Sequence, residues 1–455
     1  MTDVTLARWS GVRLRPPVRL LVLLPLLLVG WLLVPTADAA GQLAGPDVST
    51  YQHSNGRLID WAAVKRSGQT FAFIKATGGT NRVDPWFTRE WAAAGRAGMV
   101  RGAYHYADPA HSADAQAAHV VSVVGSTREL GNLGIALDLE TTGGLPPRRL
   151  VAWAHAFLDG VERRTGRVPI LYTYPYFWQH AMAGDRTFGA YPLWLARYSA
   201  STPPPLPGWT QWTFWQHTSS AHLPGIPGNV DHNVMCCSTG TLAALADGRS
   251  TAITRLWKRL GGASGSLGLP LGPEVAVPGG WGQTFQRGFV ATTRAAGTHA
   301  VTGPVYQRYL ADGGARGALG LPVASQQTLL AGVVEQAFSG GRIVHSAATG
   351  AHALRGGVLA RWVADGGAQS QEGLPTGEQV GAGQQLTGGG LYVTAGGVRL
   401  VPGAIRDRYE ELGGPSSALG LPSSDAEPLG SAARVVQFQL GQLVELTVAG
   451  QHVVA

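Results

Sequence analysis

The sequence has little cysteine and little charge. Only two of its 455 residues are Cys, which excludes a disulfide scaffold and a cysteine-rich metal site. Charged residues make up 14% of the chain, and the net charge of +7 is spread thinly instead of forming the dense Lys/Arg field that nucleic acids require. The HExxH signature of zinc proteases and the G-x-S-x-G elbow of serine hydrolases are also missing. We therefore expect no nucleic-acid partner, no metal and no other cofactor.

The two cysteines, Cys236 and Cys237, are adjacent in the sequence. A disulfide between neighbours can form in an oxidising compartment, but its geometry is strained. We therefore expect two small, buried residues without a bond between them.

The first residues have the pattern of an export signal. Four arginines, the last of them Arg19, precede an apolar run from Leu20 to Val34, and the small residues of 36–40 follow it. This order predicts a signal peptide over residues 1–39. The run of 15 residues is short for a membrane span, so the alternative of a retained anchor is disfavoured and no stable span is expected after cleavage. The rest of the chain is expected to be secreted, extracellular or associated with the cell wall.

Short apolar runs alternate with amphipathic stretches between residues 45 and 240. The pattern predicts strands at 71–76, 100–106, 134–140, 168–174, 192–198 and 212–218, and helices at 60–66, 85–97, 112–124 and 147–164. Such alternation predicts a mostly parallel sheet with helices outside it, either closed as a barrel or open and doubly wound. No glycine-rich phosphate loop follows the first of these strands, which argues against a nucleotide-binding sheet.

Residues 253–455 contain an internal repeat of four units. In each unit an aliphatic residue is followed four positions later by an aromatic one, then by a Gly pair and a Leu-Pro segment. We predict for each unit a short helix, a turn at the Gly pair, an extended Leu-Pro segment and a β-hairpin. One unit is too small to bury its apolar face alone, so the four are expected to pack together. Residues 241–252 are predicted to be a linker. The aromatics are Trp257, Tyr309, Trp362 and Tyr409, and the prolines are Pro270, Pro322, Pro375 and Pro422.

Two carboxylates end the apolar run that starts at Gly134. Asp138 and Glu140 are two positions apart, so on a strand their side chains share one face. Two like charges this close raise the pKa of one of them, which provides an acid and a base or charge stabiliser at neutral pH. Asp47 and Asp231 lie in the predicted first and last strands, and all four acids meet at one rim if the sheet closes into a barrel. A purely structural role, as helix caps, turn residues or Arg partners, is the alternative for each.

Aromatic residues follow the same strands and suit the apolar faces of sugar rings. We expect about half of them to belong to the core, because Tyr and Trp are often largely buried. Lys75 has the parity to face the site, but a structural ion pair with an acid is equally compatible with its position. The aromatics are Tyr104, Tyr106, Tyr172, Tyr174, Trp194 and Trp215.

Residues 45–240 resemble the glycoside hydrolase family 25 lysozymes, the N,O-muramidases. The resemblance rests on eight segments in family order: Asp47-Val48-Ser49 with Gln52, Ile59-Asp60-Trp61, 71–77, 102–106, Asp138-Leu139-Glu140, 194–198, Trp215-Gln216 and 224–231. Residues 253–455 resemble four LGFP repeats, written here as Leu267-Gly268-Leu269-Pro270, 319–322, 372–375 and 419–422. Such repeats are thought to attach proteins to actinobacterial cell walls.

The resemblance implies an α/β fold, an irregular TIM-like (β/α)5β3 barrel, followed by a small α+β domain of four repeats. It implies hydrolysis of the β-1,4 bond between N-acetylmuramic acid and N-acetylglucosamine in peptidoglycan, with a cell-wall polymer as the ligand of the repeats. Glu140 corresponds to the general acid, and Asp138, Asp47 and Asp231 to the other catalytic carboxylates. Substrate contacts are expected from Tyr104, Tyr106, Tyr172, Trp194 and Lys75. The chain departs from the family at Gly78, where a Glu commonly follows Lys-Ala-Thr.

Two other functions compete with this interpretation. The first is a wall adhesin whose barrel is inactive. Gly78 weakly favours this function, and the presence of all four acids argues against it. An endo-N-acetylglucosaminidase or chitinase-like enzyme is the other, because those enzymes also use a D-x-E pair.

Overall fold

The computed structural model describes residues 42–54, 56–247, 249–448 and 451–455. The predicted signal peptide lies outside these ranges. Within them, no helix combines the length and apolar character needed to cross a membrane.

The first part of the structure is a closed barrel of eight strands with one additional short strand. The closed ring runs β1-β9-β8-β7-β6-β5-β4-β2 and returns to β1, while β3 pairs with β2 outside the ring. Every neighbouring pair in the ring is parallel except the two made by β9, which is antiparallel to both β8 and β1. The barrel alternative is therefore the correct one. The strands are β1 (Ala44–Val48), β2 (Phe71–Gly78), β3 (Arg82–Val83), β4 (Val100–Tyr106), β5 (Ala136–Asp138), β6 (Ile170–Thr173), β7 (Leu193–Ala196), β8 (Phe214–Ala221) and β9 (Val230–Met235).

Helices connect the parallel strands except β7 and β8, and capping residues explain where several of these helices begin. The side chain of Asp60 accepts a hydrogen bond from the backbone N–H of Ala63, and Ser112 accepts one from Ala115, as expected of N-caps. Pro147 occupies the first turn of α4, where its missing N–H costs nothing. The helices are α1 (Trp61–Arg66), α2 (Phe87–Arg96), α3 (Ala113–Val124), α4 (Pro147–Thr165), α5 (Pro175–His180) and α6 (Thr239–Leu245).

Four similar units follow the barrel. Each begins with a helix and continues through a short 3-10 turn into an antiparallel sheet. The predicted β-hairpin is present in each unit, and further strands pair with it, so the sheets have four, four, three and four strands. The elements are α7 (Ala252–Arg259) with β10 (Val275–Val277), β11 (Gly280–Phe285), β12 (Gly288–Thr293) and β13 (Gly297–Thr302); α8 (Gly303–Ala311) with β14 (Gln327–Leu330), β15 (Val333–Phe338), β16 (Gly341–Ser346) and β17 (Gly350–Leu354); α9 (Gly356–Ala364) with β18 (Gly383–Leu386), β19 (Gly389–Thr394) and β20 (Gly397–Pro402); and α10 (Gly403–Glu411) with β21 (Glu427–Pro428), β22 (Ala433–Phe438), β23 (Gly441–Val448) and β24 (Gln451–Val454).

The repeated residues hold each unit together in the same way. The polar tip of the helix aromatic donates a hydrogen bond to the carbonyl of the Gly in the Leu-Pro segment, at 2.5–2.8 Å in all four units. Because this contact needs a donor at the end of a large ring, the position holds Trp or Tyr and never Phe. Both members of each Gly pair have positive φ, between 54° and 110°, which explains why no side chain replaces them.

The units pack on one another and on the barrel, as predicted from their size. The helix of each later unit buries its aliphatic and aromatic pair against the sheet of the unit before it. In the first unit, Ile253 and Trp257 instead pack in one cluster with three residues of the barrel, Val168, Cys236 and Cys237.

Two expectations about the end of the barrel differ from the structure. Cys236 and Cys237 form a disulfide and are only partly buried, so the prediction of two unbonded, buried residues is wrong. The residues predicted to be a linker, 241–252, include most of α6 and the start of α7. The hydroxyl of Ser238 caps α6 by accepting from the backbone N–H of Thr241, so the polypeptide is ordered as a helix there.

Candidate active site

The four predicted acids lie at the same rim of the barrel. Asp47 is near the end of β1, Asp138 is the last residue of β5, and Glu140 lies two residues beyond it. Asp231 is close to the start of β9 and still reaches this rim, because β9 is antiparallel to its neighbours and places Asp231 directly opposite Asp47. All four line one cleft of about 550 Å³, which we call the catalytic cleft.

Asp47 and Asp231 form the first carboxyl pair. Asp47 is 6% exposed, and burial together with the charge of Asp231 raises the pKa of Asp47 to about 8. Burial also raises the pKa of the half-buried Asp231. The pair therefore retains a proton near neutral pH.

Asp138 and Glu140 form the second pair. Asp138 is 6% exposed, and burial and the neighbouring Glu140 raise its pKa well above the ordinary value. The carboxyl of Glu140 is within hydrogen-bonding reach of Asp138 and is less buried. The carboxyl of Asp138 therefore keeps its proton to a higher pH than an ordinary Asp does.

A network of neutral polar groups orients Asp47. The amides of Gln216 and Asn233 both donate to Oδ2 of Asp47, at 2.9 and 2.8 Å. Gln216 in turn accepts from Tyr172 at 3.1 Å, and Asn233 accepts from the indole N–H of Trp194 at 2.7 Å. Sequence reasoning assigned no role to Gln216 or Asn233. Asn233 shares the parity of Asp231 on the last strand, and Gln216 lies in the family segment Trp215-Gln216, but neither observation assigns a role to the amide.

The five predicted substrate contacts all line the catalytic cleft. Trp194 and Tyr172 are buried at its floor, with ring centroids 4.6 Å apart. The ammonium of Lys75 lies 4.9 Å from the ring centre of Tyr106 and 5.9 Å from that of Tyr104. Its charge opposes the rise in the pKa of Asp138. Lys75 thus faces the cleft, which decides between the two alternatives left open by its sequence position.

Other residues differ from the sequence-based picture. Trp215 faces away from the cleft: it belongs to the core under the helices and donates to the carbonyl of Arg197. Tyr174 precedes α5 and packs between two core clusters. Tyr51, which was not predicted, is 82% exposed at the edge of the cleft. Gly78 also lines the cleft, and a Cβ placed on it would be 3.5 Å from Tyr106, an ordinary contact.

Comparison with known proteins adds to this geometry. The model of the glycosyl hydrolases family 25 matches residues 46–226, and the LGFP repeat model matches 267–317, 319–370 and 372–417. The chain is 36% identical over 220 residues to lysozyme M1 of Streptomyces globisporus, covering 46% of this chain and 73% of that protein. It is 35% identical over 213 residues to the N,O-diacetylmuramidase of Chalaropsis sp., covering 43% of this chain and 99% of that protein.

Among solved structures, the bacterial lysozyme of Streptomyces coelicolor is 34% identical, with a TM-score of 0.44, and covers 47% of this chain and 100% of that chain. The sequence matches extend over most of the barrel and most of the length of these relatives. The chain therefore belongs to glycosyl hydrolase family 25, is a glycoside hydrolase, and carries LGFP repeats after its barrel.

Proposed function

We propose that this protein is a secreted muramidase that cleaves the β-1,4 bond between N-acetylmuramic acid and N-acetylglucosamine in peptidoglycan. The single observation that carries the proposal is the meeting of two carboxyl pairs, Asp138 with Glu140 and Asp47 with Asp231, in one open cleft. Lysozymes and muramidases among the relatives support the choice of substrate. The (β/α)5β3 description of the barrel is part of this proposal.

Glu140 is the general acid in this mechanism. It is the more exposed member of its pair, and it adjoins a buried Asp138 that holds a proton within reach. Glu140 protonates the oxygen of the leaving sugar, the bond from C1 to that oxygen breaks, and positive charge develops at C1. Once Glu140 has given up its proton, it becomes the base that takes a proton from the incoming water.

The proton leaves the Asp138–Glu140 pair through Glu140, so Asp138 is left as a carboxylate that stabilises the positive charge developing near C1. It acts through the substrate's own N-acetyl group, whose carbonyl oxygen reaches C1 from within the same sugar. Direct attack by a carboxylate of the cleft is the alternative route. A separation of roughly 5–5.5 Å between the acid and a carboxylate nucleophile is typical of retaining enzymes, and about 6.5–9.5 Å is typical of inverting ones. Asp47, held by two amide donors, and Asp231 supply the remaining acidic groups along the bound sugar.

The surroundings of the acids fit a sugar chain. Tyr106 and Tyr51 offer ring surface at the cleft, while Lys75 and the carboxylates supply hydrogen-bonding groups for hydroxyl and acetamido substituents. The volume of the catalytic cleft, about 550 Å³, lies within the range of sites that bind small molecules.

The repeats, 253–455, extend this proposal to cell-wall attachment. The signal peptide of residues 1–39 would deliver the barrel of residues 45–240 to the wall, and four linked units would retain it there through multiple weak contacts. Retention raises the local concentration of barrel at an insoluble substrate.

Analysis of the new reducing ends tests the proposed bond specificity. Purified peptidoglycan is digested with the full chain, reduced with borohydride and hydrolysed to its amino sugars. We expect reduced muramic acid to accumulate. Reduced glucosamine in its place would identify an endo-N-acetylglucosaminidase, and failure to release any reducing ends would leave a wall adhesin.

A further inference from the structure

The three junctions between successive repeat units are built on one plan. At each, the aromatic of a helix packs on the middle strands of the preceding sheet. In the first junction Phe289 covers Tyr309, with ring centroids 5.8 Å apart, and in the third Tyr392 covers Tyr409 at 5.3 Å. A ring from the sheet therefore fills the space beside the helix in both cases.

Each of these rings lies over a glycine. A Cβ on Gly282 would come within 2.4 Å of the Phe289 ring, and one on Gly390 would come within 2.9 Å of Tyr392. Contacts this short would force the ring to move, so each ring in its observed position depends on the glycine beneath it.

The second junction has neither the ring nor the glycine. Corresponding positions are found by counting from the glycine that begins β12, β16 or β19. By this count Arg342 corresponds to Phe289, and Val344 corresponds to Tyr392. Glu335 stands at the position of Gly282. The space beside Trp362 is left as a cleft of about 350 Å³, which we call the junction cleft. Its walls include Leu329, Leu330, Glu335, Arg342, Trp362 and Gln369.

The polar groups of the junction cleft are fixed and mutually neutralised. Glu335 is 2% exposed, and its two oxygens accept from Nη1 of Arg342 at 3.1 Å each. Gln327 donates a further hydrogen bond to Glu335 at 2.6 Å. The guanidinium uses Nη1 for this contact, and the side chain of Arg342 is about one-third exposed. An ionic ligand would have to compete with this ion pair, whereas hydroxyl groups can donate to the carboxylate and accept from the guanidinium without breaking it.

We propose that the junction cleft binds a neutral saccharide of the cell wall. Hydroxyl groups would engage Glu335, Arg342 and the exposed Gln369, while the C–H face of the sugar packs on Leu329 and Leu330. The volume lies at the lower end of the range for small-molecule sites and suits one or two sugar units. This inference rests on the proposed attachment of the repeats to the wall, and it assigns that role to one junction of the three.

The repeats themselves suggest a variant that closes the cleft. The double substitution Glu335→Gly with Arg342→Phe reproduces the residue pair of the first junction, Gly282 with Phe289, and should fill the space with a ring. Gln369→Trp is a second variant that blocks the cleft from its exposed side without altering buried residues. Arg434→Ala is the matched control, because it removes an Arg that pairs with a buried carboxylate, Glu445, in the last described sheet.

The assay uses the full chain carrying Glu140→Gln in every sample, so that the wall stays intact. Binding is measured by co-sedimentation with purified walls and by titration with the neutral polysaccharide released from them by mild acid. We expect the double variant and Gln369→Trp to weaken binding to the released polysaccharide by about tenfold or more, and the control to bind normally. Without the Glu140 change, the variants should hydrolyse soluble glycan fragments at the normal rate.

Two outcomes would overturn the inference. Unchanged polysaccharide binding in both cleft variants would show that the junction cleft is not the site. Competition by a free stem peptide but not by the polysaccharide would assign it to a peptide. Both results leave the proposed hydrolysis untouched, because that is measured separately on soluble fragments.

Discussion

Asp47 and Asp231 lie directly opposite each other on two neighbouring antiparallel strands, β1 and β9. The barrel thus closes with two carboxyl groups side by side at its rim. Burial and the nearby Asp231 raise the pKa of Asp47 to about 8, so its carboxyl is protonated in the folded protein over a pH range in which the unfolded chain has already lost the proton.

This difference makes the folding stability depend on pH. The folded state binds more protons than the unfolded state between about pH 4 and pH 8, so the stabilisation is complete below about pH 4 and is lost as the pH rises towards 8. Asp47→Asn removes the titrating group and can still accept hydrogen bonds from Gln216 and Asn233. We expect thermal melts at pH 5 and pH 8 to show the variant gaining roughly 3–4 kcal/mol relative to the unaltered protein across this interval. Parallel pH dependence in the two proteins would show that Asp47 is ionised when folded.

The amide of Asn233 positions Asp47 and is expected to set its titration. Asn233→Ala removes one donor to the carboxylate and leaves the indole of Trp194 without its acceptor. Because hydrogen bonds to a carboxylate lower its pKa, the limb of the activity profile that reports Asp47 should move to higher pH, with kcat lowered more than KM is raised.

His232→Ala is the matched control for that experiment. His232 lies on the same strand but bonds to His217 and Gln69 on the other face. The activity of the His232→Ala variant should depend on pH in the same way as that of the unaltered protein. A loss of kcat in Asn233→Ala with an unmoved profile would indicate structural damage instead of a positioning role.

Much of the site can be predicted from the sequence. Strand parity predicts which side chains share a face, and active sites of parallel barrels lie at the rim formed by the C-terminal ends of the strands. Asp138 and Glu140 are predicted as a pair from their spacing alone, and the structure adds that Glu140 lies just beyond the end of β5. Asp231 is different: its arrival at the rim depends on β9 running antiparallel, which no local pattern reveals. The sequence assigns no role to Gln216 or Asn233 because strand parity does not by itself mark a neutral amide as functional, and the contacts of both residues with Asp47 form only when the barrel closes.

Gly78→Glu tests the departure from the family pattern. A Cβ at this position meets Tyr106 and Arg82 at 3.5–3.6 Å, so the change should alter the free energy of unfolding by less than about 0.5 kcal/mol. The new carboxylate would lie beside Arg82 in the catalytic cleft, and we expect KM for peptidoglycan fragments to change with little effect on kcat. Gly102→Ala is the contrast, because its Cβ would come within 2.3 Å of the Phe73 ring and should cost a few kcal/mol. A large loss of stability in Gly78→Glu would contradict the ordinary contacts expected of a Cβ at this position.

The first repeat unit is expected to stabilise the barrel. Ile253 and Trp257 pack against Val168 and the cysteine pair, and the backbone N–H of Ser264 donates to the carbonyl of Gly189 at 3.0 Å. Trp257→Ala should therefore lower the temperature at which hydrolysis of soluble fragments is lost, by an amount corresponding to about 3 kcal/mol or more. The equivalent change in the third unit, Trp362→Ala, should leave that temperature unchanged. Equal temperatures for both variants would show that the barrel folds independently of the first unit.

Some features of the repeats can be predicted from the sequence, and others are visible only in the structure. The Gly pairs and the Trp or Tyr of each unit form a pattern in the sequence. The structure supplies the reasons: the glycines adopt positive φ, and the aromatic residue donates a hydrogen bond to a glycine carbonyl. The added strands of each sheet have weak local signals and form by pairing with the predicted ones. The sequence disfavours a bond between Cys236 and Cys237 because a disulfide between neighbours has strained geometry, and sequence alone offers no measure of the local backbone that accommodates it.

The central claim is that Glu140 donates the proton that breaks the glycosidic bond, and replacing it with Gln tests this most directly. The initial rate of reducing-end release from purified peptidoglycan is measured for both proteins. Wall binding is measured in parallel by co-sedimentation of each protein with the same walls. We expect Glu140→Gln to lower the rate by about 10²–10⁴-fold while wall binding and thermal stability stay normal. A rate within a few-fold of the unaltered protein would contradict the assignment of Glu140 and the mechanism built on it.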